Sequence, residues 1–136
     1  MYQSVDLIEG ADHEGPVLEI PALRVLEKIG KGPRESLWFT KVDSENYVLA
    51  GHRFRYLDPI SPPFYFLDRL ETGENIKLHY QNKIYEYVVV KSFEVRAGDV
   101  WIEEGYSFPS ITLYTCTPIY NPVNRLVVVG RLVSIH

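Results

Sequence analysis

The sequence predicts an all-β protein, a closed barrel of about eight strands carrying one or two short helices. Three observations predict it. Apolar and polar residues alternate with a period of two in separate segments, most plainly Ile76, Leu78 and Tyr80 against Lys77, His79 and Gln81. Two β-branched runs near the end of the chain, Ile111 to Cys116 and Arg125 to Leu132, each present one greasy face. Gly, Pro and Asn breakers separate such runs, with no repeats or low-complexity segments among them.

Residues 1 to 16 are polar, include Gly10, Gly15 and Pro16, and are expected to be a flexible lead-in, leaving 17 to 136 as the folded domain. Leu18 to Ile20 and Leu23 to Glu27 read as two short strands broken by Pro21, which cannot donate a ladder hydrogen bond. After Gly30, Gly32 and Pro33, the segment 33 to 39 suits one or two helical turns, with Pro33 at the first position. Tyr47 to Gly51 is a strand that delivers His52 at its end. Phe54 to Pro63 is loop, Phe64 to Leu70 a short helix, and Gly73 closes it. The alternating segment 76 to 80, a turn at Asn82-Lys83 and a long strand from Ile84 to about Val95 make a hairpin. A brief strand at Val100 to Ile102 leads into an open loop, Glu103 to Ser110.

The last two strands carry the argument. Alternation sets Ile111, Leu113 and Thr115 on one face and Thr112, Tyr114 and Cys116 on the other; in the next strand Leu126, Val128 and Leu132 oppose Arg125, Val127, Val129 and Arg131. The short connection, with Pro118 and Pro122, implies an antiparallel hairpin, so Cys116 and Arg125 face each other across its mouth.

At 136 residues the chain is one domain by length and buries roughly 68% of the surface its unfolded form exposes. The single cysteine cannot pair within the chain, and no Cys/His cluster offers zinc ligands. Fourteen Lys and Arg against 18 Asp and Glu give a net charge of -4 with the basic residues scattered, which argues against nucleic acid as a partner. No run approaches the about 18 apolar residues of a membrane span, and Met1 to Ser4 lack the regions of a signal peptide. The sequence reads as soluble, with any anchor lying outside it. Glu103-Glu104 reads as a solvated loop tip rather than a calcium site, and neither metal nor cofactor is expected.

A thiol at a strand end, with one histidine and one arginine at other strand ends, is the parts list of acyl transfer. At an ordinary pKa of about 8.5 only a few per cent of a cysteine is thiolate at neutral pH, so the nucleophile needs an electropositive setting. Arg125 supplies that charge and donors for an oxyanion, and His52 supplies a group that gives and takes protons. Taken singly, a strand Cys is more often a buried small hydrophobe, a strand-end His structural, and a strand-initiating Arg a surface charge. His13, His79 and His136 have weaker placements: the lead-in, the polar face of a hairpin strand, and the terminus.

Order and wording join the three signals. Thr112-Leu113-Tyr114-Thr115-Cys116 resembles the TLxTC signature of sortases, the cysteine transpeptidases that join surface proteins to the cell wall or to pilin subunits, and matches at every fixed position. Leu49 to Arg53 is similar to the segment carrying the family's histidine, Arg125 to Leu132 to its final strand, Leu18 to Pro21 to the start of its barrel, and Phe64 to Leu70 to the segment after the histidine. The resemblance spans about residues 17 to 135 and leans toward classes D, E and F rather than class A.

The resemblance implies Cys116 as nucleophile, His52 as acid/base, Arg125 as substrate-positioning and oxyanion-stabilising group, and Thr115, Ala50 and Tyr114 as substrate-binding. It implies cleavage of a Leu-Pro-x-Thr-Gly-like sorting signal through a Cys thioester, then transfer to an amine of a peptidoglycan precursor or a pilin lysine. It also implies action at the outer face of the cell membrane. Two features depart from the family pattern: the stretch from Leu26 to Tyr47 is short, and Phe54-Arg55-Tyr56 replaces small hydroxyl residues after the histidine. The competing expectations are a thiol hydrolase or peptidase on the same barrel, and a catalytically inert peptide-binding barrel.

Overall fold

The computed structural model describes residues 15–43, 45–53, 62–99, 104–117 and 123–136. Among the described residues eight strands make one sheet: β1 (Val17–Ile20), β2 (Val25–Lys28), β3 (Leu37–Lys41), β4 (Asn46–Gly51), β5 (Asn75–Tyr80), β6 (Lys83–Arg96), β7 (Ser110–Thr117) and β8 (Asn124–Ile135). Their order is β2-β1-β5-β6-β8-β7-β4-β3, and the sheet curls into a nearly closed barrel. The two edges approach where Gly30 bridges to Trp38 and its N–H donates to the Leu37 carbonyl at 2.7 Å. The expected all-β barrel of eight strands is therefore the observed one.

Two sets of side chains follow from strand alternation. Leu18, Ile20, Leu49, Ile76, Leu78, Ile111, Leu113 and Val128 point inward and are almost wholly buried in the main core. Val127, Val129 and Val95 point outward into a second, smaller cluster with Phe93, Tyr106, Phe108 and Tyr114 against it. At the end where β4 starts, Tyr47 packs against Tyr80 and Tyr85 with ring centroids 5.9 and 5.7 Å away. Burial, reinforced by the Tyr85 hydroxyl, pushes the Tyr47 phenol up to about 12.

Strand direction decides what lies at the other end. β4 and β7 run parallel, so both finish at the same rim, and β8, antiparallel to β7, starts there. The long β6 pairs with β5 through its first half and with β8 along its length; irregularities at Glu86/Tyr87 and Val89/Lys91 bend it to do both.

Several expectations are corrected. The segment 33 to 39 is not helical: after a single turn (Glu35 N–H to the Gly32 carbonyl, 2.9 Å), Leu37, Trp38 and Phe39 enter β3 and pair with Gly51, Ala50 and Leu49. Edge pairing of an aromatic, β-prone run outweighs the helix-starting preference of Pro33. The β5–β6 turn falls at Gln81-Asn82, one residue earlier than expected, with both at positive φ (53° and 63°) as a tight hairpin turn requires. Phe64 to Leu70 is a chain of i to i−3 turns with a 3-10 segment at Leu67–Arg69, not an α-helix. A second 3-10 segment, Pro21–Leu23, separates β1 from β2. His79 is not solvated: it is 3% exposed, with Nε2 3.3 Å from the equally buried Glu19 carboxylate across the β1–β5 pair. The expected strand at 100–102 lies outside the described residues, as does most of the loop 54–63.

Candidate active site

The shared rim gathers the three strand-end residues. Cys116 is paired directly with Arg125 in the β7–β8 register, and antiparallel partners point to the same face. That face is the outer one, because Tyr114 and Val127, each two residues away along the strand from Cys116 and Arg125, belong to the outer apolar cluster. In the parallel β4–β7 register the last pair is Ala50 with Tyr114, so the chain leaves β4 toward His52 at the rim where Cys116 lies. Cys116, His52 and Arg125 are all half-buried, reachable by a ligand while partly shielded from water.

Each has a local support. His52 N–H donates to the Ser36 carbonyl at 3.0 Å, and its ring packs beside Trp38 at 5.1 Å. His52 Nε2 lies 2.7 Å from the Pro33 carbonyl oxygen. A carbonyl only accepts, so Nε2 carries the hydrogen and Nδ1 is left to exchange a proton. The short β2–β3 connection thus fixes both the backbone and the tautomer of His52. Arg125 Nη1 donates to the carbonyl of Asn124 at 3.1 Å, a contact with its own chain neighbour that a better acceptor can replace.

The residues expected to flank the substrate divide. Tyr114 is half-buried on the face of Cys116. Ala50 is 4% exposed. Thr115 turns to the opposite face from Cys116, is buried, and donates its hydroxyl to the Gly51 carbonyl at 2.6 Å, tying β7 to β4 one residue before the thiol and the imidazole.

An aromatic pair lies on the same outer face, at the start of β7 and away from the rim that carries Cys116. Tyr106 and Phe108 stack at 5.3 Å, with Lys91 over Tyr106 at 4.7 Å and Arg131 over Phe108 at 5.0 Å. Asn46 Oδ1 holds the loop down, accepting from Tyr106 N–H at 3.1 Å and Ser110 Oγ at 2.6 Å. The Tyr106 hydroxyl is buried with no hydrogen-bond partner among the described residues, and burial raises its pKa.

One residue escaped the sequence reading. Arg53 is 6% exposed and reaches the Cys116 carbonyl with Nη1 at 3.3 Å, the Tyr65 carbonyl with Nε at 3.4 Å and the Asp68 carboxylate with Nη2 at 3.0 Å. In sequence it is an arginine after a histidine, and only its position in a known motif marks it.

The chain belongs to the sortase family: the family model described as a sortase domain matches residues 8–133. Members of this family are cysteine transpeptidases. Among curated proteins, the chain is similar to Sortase SrtE1 of Streptomyces coelicolor, 29% identical over 133 residues that cover 88% of this chain and 37% of that protein. Sortase A of Bacillus anthracis is 33% identical over 89 residues, 65% of this chain and 41% of that protein. The chain therefore spans about two fifths of the length of these relatives. Among solved structures, Listeria monocytogenes sortase A superposes with a TM-score of 0.76 at 25% identity, covering 89% of this chain and 88% of that one. Streptomyces coelicolor sortase E1, solved with a tripeptide in its active site, has the same fold at a TM-score of 0.73 and 24% identity, with coverage of 89% and 88%.

Proposed function

We propose that this domain is a cysteine transpeptidase acting on sorting-signal peptides. The observation that carries the reading is the strand register, in which Cys116 is opposite Arg125, together with the parallel β4–β7 pairing that brings the end of β4, followed directly by His52, to the same rim. The Cys116 thiol passes its proton to His52 Nδ1, the thiolate attacks the carbonyl carbon of the scissile peptide bond in a Leu-Pro-x-Thr-Gly-like signal, and the carbonyl oxygen becomes an oxyanion. Arg125 leaves the Asn124 carbonyl to donate to that oxyanion. His52 gives its proton to the leaving amine as the carbon–nitrogen bond breaks, which leaves the acyl group on Cys116 as a thioester. An incoming amine then loses a proton to His52 and attacks the thioester, and the thiolate departs.

In this scheme Tyr114 and Ala50 border the peptide, while Thr115 acts from behind by holding β7 against β4. The amine acceptor is a peptidoglycan precursor or a pilin lysine, and the work is done at the outer face of the cell membrane. No described helix is long and apolar enough to cross a membrane.

The test is product analysis with a sorting-signal peptide and a series of amines. Ligated product that requires Cys116 is the expected result. Only hydrolysed product, whatever the amine, would make this a thiol hydrolase; binding without any turnover would make it an inert peptide-binding barrel.

A further inference from the structure

The proposed reaction makes no use of Arg53, although a charged side chain buried to 6% is kept only where it is paired. Each nitrogen of its guanidinium has an acceptor: Nη1 the Cys116 carbonyl, Nε the Tyr65 carbonyl and Nη2 Asp68. A planar fork can serve three acceptors in fixed directions, and a lysine cannot. We infer that Arg53 is the positioning residue of the thiol, clamping the main chain of Cys116 to the Tyr65–Asp68 turn and setting the local charge at the nucleophile. The inference rests on reading Cys116 as the nucleophile.

The division of labour between the two arginines is physical. Arg125 holds only the carbonyl of its neighbour and can turn to a substrate. Arg53, itself 6% exposed, cannot turn without giving up its contacts to two carbonyls and a carboxylate. Its position next to the His52 backbone also means that one residue pair, His52-Arg53, sets both the proton carrier and the nucleophile's anchor. Among the described residues, the charged and titratable groups at the thiol's rim are His52 and Arg53 beyond β4, Arg125 near the start of β8, and Asp68 behind Arg53.

That arrangement gives two variants opposite signs. Removing Arg53 removes a cation from beside Cys116 and disfavours the thiolate. Neutralising Asp68, whose side chain is 52% exposed, leaves the Arg53 charge unopposed and favours it. A merely structural role would move both variants the same way or neither.

The experiment measures the rate of Cys116 alkylation by iodoacetamide against pH, and kcat and KM with a sorting-signal peptide, for the wild-type protein, Arg53→Met, Arg53→Lys and Asp68→Asn. Arg53→Met is expected to move the alkylation midpoint to higher pH and to lower kcat by about 10- to 100-fold with a smaller change in KM, since the cost is misplacement of the nucleophile. Arg53→Lys keeps the charge but stays low in kcat because the fork is lost. Asp68→Asn moves the midpoint to lower pH, the solvent exposure of the carboxylate keeping the change small. Midpoints that do not move, or that move together, would overturn the inference. If Arg53→Met does not fold, Asp68→Asn alone decides. Opposite midpoint shifts in a protein that turns over no peptide would support the clamp and sink the transpeptidase reading.

Discussion

Gly51, directly before His52, is a glycine for reasons of space, and that can be tested. A Cβ built there lies 2.5 Å from Phe64 Cδ2 and 2.7 Å from Cε2, about 1 Å inside ordinary carbon–carbon contact. Gly51 sits in β4 with a backbone open to any residue, so Gly51→Ala is penalised only by overlap. Phe64 is fully buried in the main core and has nowhere to go. Overpacking of this kind costs about 1–3 kcal/mol, which lowers Tm by about 3 to 12 °C for a domain of this size. Phe64→Leu alone removes ring volume and costs about 1–2 kcal/mol, less than the usual Phe→Ala loss. Because the second change removes the atoms that the first one meets, the double variant should be no less stable than Phe64→Leu. Urea unfolding followed by circular dichroism measures all four proteins. Costs that add within about 0.5 kcal/mol would refute the steric account.

Other predictions follow from the same coordinates. Thr115→Val should cost about 1–2 kcal/mol by leaving the Gly51 carbonyl without its buried donor; it should also slow turnover, while Thr115→Ser keeps most of both, as paired denaturation and kinetic measurements would show. His52→Ala should lower kcat by about 10²- to 10⁴-fold, and the pH–rate profile of the wild-type protein should be bell-shaped, belonging to the thiol–imidazole pair rather than to either residue. For Tyr47, raised to about 12 when folded against an ordinary 10.0, the unfolded chain loses its proton first. Stability from this group is thus complete below pH 10 and is lost as pH rises toward 12, so the urea midpoint should fall across that window, and less so in Tyr47→Phe.

Where local pattern and tertiary need agree, the chain is readable. The period-two runs at 76–80, 111–116 and 125–132 became β5, β7 and β8 with the expected faces inward, because a one-residue slip would have turned Leu113 and Val128 out to water. Residues 33 to 39 misled because Pro33 is a local signal, whereas Leu37 to Phe39 answer to β4, a partner distant in sequence. His79 was misplaced for a related reason: alternation identifies the outer face of β5 but not that Glu19 is buried beside it. Cys116, His52 and Arg125 could be picked out as residue types at strand ends. Their coming together depends on β4 running parallel to β7, which no local spacing reveals. Arg53 was invisible because burial of an arginine is a property of its three acceptors, drawn from Tyr65, Asp68 and Cys116.

The central claim is that Cys116 is a nucleophile that carries an acyl group between two amines. Intact-mass measurement of the protein quenched in acid during reaction with a sorting-signal peptide tests it most directly. The expected result is an acyl adduct on Cys116, absent from Cys116→Ala, that decays faster as amine concentration rises. A peptide library that yields turnover without any such adduct, or turnover that survives in Cys116→Ala, would contradict it.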